Sequence, residues 1–79
     1  MAVIQIPLLK KSYPLYGIAS RKPLRDLSQG RVYMKVREVL KENLGENVEV
    51  LSRASWAAEE GRWEGEMVYR GVRFLWIVR

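Results

Sequence analysis

Residues 57–78 read AAEEGRWEGEMVYRGVRFLWIV, and the placement of the glycines in this stretch decides the fold. Glycine tolerates the positive φ that tight hairpin turns demand, so Glu60-Gly61 and Arg70-Gly71 each predict a turn between antiparallel strands. A two-residue loop at Arg70-Gly71 puts Tyr69 opposite Val72, Met67 opposite Phe74, Gly65 opposite Trp76 and Trp63 opposite Val78. A two-residue loop at Glu60-Gly61 puts Ala58 opposite Trp63, Trp56 opposite Gly65 and Ala54 opposite Met67. Side chains alternate between faces along a strand, and both registers place these same residues on one face. Two turns read independently therefore yield one apolar face, with Gly65 where two tryptophans would otherwise collide. Residues 48–79 are a three-stranded meander on this reading.

That face needs a cover, and the segment upstream supplies one. Val32, Tyr33, Val36, Val39, Leu40 and Leu44 fall on one stripe at a 3.6-residue period, with Arg37, Glu38, Lys41 and Glu42 on the other side. Ser28 is a good N-cap, with Leu27 and Val32 placed as a hydrophobic staple; Asp26 with Gln29 offers a competing capping box. Gly45 closes the segment as a C-terminal glycine, predicting a helix over 28–45. Residues 1–9 contain AVIQI, a short strand that ends at Pro7 or lies at a sheet edge, because proline donates no ladder hydrogen bond. Residues 10–27 read as a basic loop. The chain is thus a single domain over 1–79, α+β in class, a β-α-β-β-β two-layer sandwich of one helix on an antiparallel meander sheet. The partner of the first strand is left open.

A chain of 79 residues buries only about 60–65 % of its unfolded surface, so it relies on tight packing or on association. Without cysteine or histidine it has no disulfide and none of the usual zinc or haem ligands. No cofactor is expected. The apolar share of 48 %, with three Trp, four Tyr and one Phe, is that of a packed domain rather than a disordered one. The start MAVIQIPLLKK lacks the basic n-region of a signal peptide, and FLWIV is far too short to span a bilayer. A soluble, cytoplasmic protein with no membrane partner is the expectation. The absence of threonine and the excess of arginine over lysine, nine to five, suit a GC-rich genome or a heat-adapted source.

Charge is unevenly distributed. Up to Arg37 eight cations face the single Asp26, whereas from Glu38 onward six cations face eight glutamates, so the net charge of +5 belongs to the N-terminal part. Such asymmetry points to an anionic partner. Lys10, Lys11, Tyr13, Tyr16, Arg21, Lys22 and Arg25, extended by Arg31 and Lys35 on the helix, combine phosphate-neutralising cations with rings on which bases can stack. The competing reading makes Tyr13, Leu15, Tyr16 and Ile18 a strap over the sheet with solvated basic neighbours; the two are compatible. No RNP-like pattern, KH-type loop or zinc finger accompanies them, and Glu38 and Glu42 make the helix a poor major-groove reader.

Catalysis is not expected. Common bases and nucleophiles are missing, and no phosphate loop is present. Glu64 and Glu66 project from one side of a strand roughly 7 Å apart, but Arg53, Arg62, Arg70 and Arg73 nearby mark a salt-bridged outer surface. That second face also carries Leu51, Ala57, Val68, Leu75 and Ile77, with Ala57, Glu64 and Ile77 in one row and Arg53, Val68 and Arg73 in another. So much aliphatic surface calls for a cover, either the N-terminal strand or a second chain. A homodimer paired along the outer edge of the last strand is favoured over coverage of that edge by AVIQI. Trp56, Trp63 and Trp76 read as core or near-core; Trp63, beside the first turn, is the one expected to be partly exposed and able to anchor an interface.

Two functions fit. The first is a small non-enzymatic nucleic-acid-binding accessory protein using the basic, tyrosine-containing segment on DNA or RNA, or on an acidic protein or ribonucleoprotein. The second is a protein-interaction module, homodimeric or inhibitor-like and of the kind phages and viruses encode, docking through Leu51, Trp63, Val68, Leu75 and Ile77. Neither takes a small-molecule substrate.

Overall fold

A computed structural model describes residues 2–17 and 22–79. It shows one helix packed on a five-stranded antiparallel sheet. The strands are β1 (Val3–Ile6), β2 (Lys11–Pro14), β3 (Val48–Ala57), β4 (Arg62–Tyr69) and β5 (Val72–Val78), and the helix is α1 (Gln29–Leu44). The order across the sheet is β2-β1-β5-β4-β3. The α+β sandwich is therefore as expected, with one strand more than the sequence suggested. Residues 11–14, expected in the basic loop, pair with β1 as an edge strand, joined to it by a 3-10 turn at Pro7–Leu9. Proline is tolerated there because Pro14 closes an edge strand.

The helix follows its signals. The Ser28 side chain accepts from the Arg31 N–H, and Gly45, at φ 84°, donates its N–H to the Lys41 carbonyl. The competing start is not used; Asp26 sits in a 3-10 turn, Leu24–Asp26. Val32, Val36 and Leu40 are fully buried, and Tyr33, Val39 and Leu44 pack at the margin of the same core. The helix lies chiefly over β3. Gln29 Nε2 donates to the Ala54 carbonyl at 2.7 Å, fixing the start of α1 to that strand.

The β4–β5 hairpin has the expected register, Tyr69↔Val72 through Trp63↔Val78. Arg70 and Gly71 both have positive φ, 52° and 79°, the type I′ geometry that matches strand twist. The β3–β4 register differs from expectation by two residues next to the turn, where Trp56 faces Trp63 and Ala54 faces Gly65, and by four beyond the bulge, where Val50 faces Met67. Gly61, at φ 67°, closes a four-residue loop, its N–H donating to the Ala57 carbonyl at 2.8 Å. Both shifts are even, so the paired side chains keep their face and the apolar surface survives the error. Its details change. Only Trp76 lies over Gly65, whereas Trp56 meets Trp63 edge-on at 5.7 Å and 64°. A bulge between Val50 and Ala54 brings the Arg53 carbonyl over Gly65 as well. On the outer face the rows are Ser55–Glu64–Ile77 and Glu49–Val68–Arg73, not those begun by Ala57 and Arg53.

β1 is an interior strand, between the edge strand β2 and the central β5. Ile4 pairs with Val78 and Gln5 with Ile77, while Val3 and Arg79 exchange backbone hydrogen bonds at 2.9 and 3.2 Å. Ile4 and Ile6, both fully buried, complete the core beneath α1 with Leu15, Met67, Trp76 and Val78. The outer edge of β5, where self-pairing was expected, is occupied by β1; the free edges are β2 and β3. No helix among the described residues is long and apolar enough to cross a membrane.

Candidate nucleic-acid interface

β2 divides the basic residues into two clusters. At its start, Lys10 and Lys11 are exposed, Lys10 held at φ 54° by the turn that reverses the chain after Pro7–Leu9. Four residues of strand advance the chain about 13 Å. At the far end Tyr16 is 69 % exposed, and Arg31 Nη2 reaches the Gly17 carbonyl at 3.5 Å. The Lys35 ammonium lies beside Gly17 too, 3.4 Å from where a Cβ would stand, and also pairs with Glu38 at 3.7 Å. Arg31 and Lys35 thus meet at Gly17, although 14 residues separate Gly17 from Arg31, while Tyr16 borders a hollow lined by Pro14, Val39, Glu42 and Asn43.

The strap and the grip divide between residues. Tyr13 and Leu15 pack on the core, Leu15 1 % exposed and Tyr13 half-buried, so Tyr13 has part of its ring committed to packing. Tyr16 is the more exposed ring. Lys22 and Arg25 are exposed near the Leu24–Asp26 turn, Arg25 within 4.0 Å of Asp26. Arg21 and Ile18 lie outside the described residues. Among those described, Lys10, Lys11, Lys22 and Arg31 have no carboxylate within ion-pair distance.

No family model, curated protein or solved structure matches this chain.

The outer face of the sheet carries no helix among the described residues, and its charges are partly paired. Arg62 Nε meets Glu64 Oε1 at 2.8 Å, and Arg73 Nη1 meets Glu66 Oε2 at 3.3 Å. Both glutamates of the suspect pair are thus held by arginines. Among the described residues no three carboxylates converge to hold a cation. A shallow depression on this face is lined by Leu51, Arg53, Glu64, Glu66 and Leu75. Leu51 and Val68 are half-buried and Leu75 is exposed, so these three remain available to a partner.

Two expected interface residues are not. Ile77 is 2 % exposed, tucked between Gln5 of β1 and Glu64 of β4 on the outer face. Trp63 is 5 % exposed, and its indole N–H donates to the Leu24 carbonyl at 2.8 Å. The turn before α1 folds over the Trp63 end of β4, so Trp56, not Trp63, is the half-exposed tryptophan. Trp63→Phe keeps most of the ring and removes that bond. We expect a loss of about 1 kcal/mol in urea unfolding with an unchanged oligomeric state by sedimentation. Unchanged stability with a lost assembly would restore Trp63 as an anchor.

Residues from the C-terminal part also join Lys10 and Lys11. A recess of about 430 Å³ on the outer face is lined by Lys10, Lys11, Arg62 and Arg79, with Gln5, Ser12 and Ile77. No local signal in the sequence links Arg62 or Arg79 to the basic segment. Their proximity follows from the β1–β5 pairing.

Proposed function

We propose that this protein is a small cytoplasmic nucleic-acid-binding accessory protein without enzymatic activity. Its basic residues around β2 grip the phosphate backbone. The reading is carried by one observation: cations concentrated in the N-terminal part stay exposed and largely free of carboxylate partners, on both sides of an edge strand. Unpaired lysines and arginines displace counterions from a polyanion, which provides affinity without sequence preference. With Tyr16 the one exposed ring of the segment, stacking contributes at a single place. Base readout is not expected from such a set.

The test is a titration of the full chain with fluorescent single- and double-stranded DNA and RNA oligonucleotides at two salt concentrations. Beside it runs a variant with Lys10, Lys11, Arg21, Lys22 and Arg25 all changed to Gln. Wild-type affinity should fall steeply with salt, and the variant should bind at least about a hundredfold more weakly with a shallower slope. The described members of this set are exposed, so the variant's circular dichroism should match the wild type. Absence of binding at low salt would overturn the proposal and favour docking of a protein through Leu51, Val68 and Leu75.

A further inference from the structure

We propose that the recess beside β1 and β5 is a phosphate-binding site. It deepens the nucleic-acid reading, resting on it only for the source of the phosphate. Lys10, Lys11, Arg62 and Arg79 line the recess, Lys11 from its margin where it opposes the buried Ile6, and its volume falls within the range of small-ligand clefts. Gln5 and Ser12, directly opposed on β1 and β2, add a carboxamide and a hydroxyl on the outer face. Neither side chain makes a hydrogen bond with another described residue.

Glu64 holds Arg62 through Nε alone, leaving the Nη groups without a partner among the described residues. Lys10, Lys11 and Arg79 have none either. Like charges gathered around one recess repel each other unless an anion joins them. A phosphate group matches this donor set. Its oxygens accept several bonds at once, and the guanidinium fork fits its geometry. The floor beneath is firm, because Ile77 is buried and β1 is held on both sides.

The experiment follows the isotope-labelled full chain by NMR during titration with inorganic pyrophosphate, ionic strength being held constant with sodium chloride. Saturable shifts should cluster on Gln5, Lys10, Lys11, Ser12, Ile77 and Arg79 and on the Arg62 side chain. The double variant Lys10→Gln/Arg79→Gln should bind about tenfold more weakly or worse. Its remaining spectrum should show the fold retained, and Lys11→Gln alone provides a second variant that leaves the turn untouched. Shifts that are unclustered, or that persist unchanged in both variants, overturn the site.

The same variants are then titrated with the oligonucleotides. Weakened oligonucleotide binding supports the recess and names the nucleic-acid backbone as the phosphate's source. Clustered pyrophosphate binding by a protein that binds no oligonucleotide supports the recess with a small phosphorylated ligand as source, and ends the nucleic-acid reading. Oligonucleotide binding without a pyrophosphate response ends the recess and leaves the nucleic-acid reading intact.

Discussion

Gly65→Ala is expected to destabilise the protein by about 3 kcal/mol or more, the upper end of what one added methyl costs in a packed core. A Cβ at this position would run into the six-membered ring of Trp76 and stand 2.8 Å from the Arg53 carbonyl. Neither neighbour can give way cheaply. Trp76 is fully buried, and the carbonyl belongs to the backbone of the β3 bulge. A domain of this length holds in all about 4–12 kcal/mol, so one methyl group consumes much of it. The measurement is the urea midpoint, with near-UV dichroism reporting the indole. Trp76→Leu should itself be costly, yet in the Gly65→Ala background it should cost less, because it removes the collision. Strict additivity of the two changes would mean that the ring does not lie over Gly65.

The second large effect concerns the first strand. Ile4→Ala and Ile6→Ala each delete side-chain volume from fully buried positions, at about 2–5 kcal/mol apiece. Together they should leave the chain largely unfolded at 25 °C, with loss of the tryptophan near-UV signal. A peripheral arm would tolerate both changes. A double variant that melts within a few degrees of the wild type would show that β1 does not lie within the sheet between β2 and β5.

These two positions also separate what was legible from what was not. Gly65 opposite Trp76 follows from the Arg70-Gly71 turn, because a two-residue loop leaves no freedom in register. The Gly61 turn was placed correctly but its loop length was not. A glycine with positive φ closes a four-residue loop as readily as a two-residue one, and the error moved Trp56 from Gly65 to Trp63. The helix was legible to within a residue at each end, since Ser28 and Gly45 are local caps. β2 was not. Lys11-Ser12-Tyr13-Pro14 has little strand character of its own, and it is extended because β1 lies alongside.

At the candidate site the charges could be counted from the sequence, but their grouping could not. Lys10 and Lys11 stand close to Tyr13 in the chain, yet they share a recess with Arg62 and Arg79, while Arg31 and Lys35 meet Gly17. A single basic loop becomes two clusters because a strand runs through it. Ile77 and Trp63 were misjudged for a related reason. Burial on the outer face of Ile77 depends on Gln5, and burial of Trp63 on Leu24, each from a distant part of the chain.

By itself the sequence determined the helix, the meander, its apolar face and the concentration of positive charge before Glu38. These rest on caps, turns and periodicity, which act over a few residues. Only the tertiary structure decided that β1 lies between β2 and β5. That pairing joins residues more than 70 positions apart, and nothing local encodes it. It places Ile4 and Ile6 in the core that α1 closes while satisfying backbone hydrogen bonds on both sides of β1.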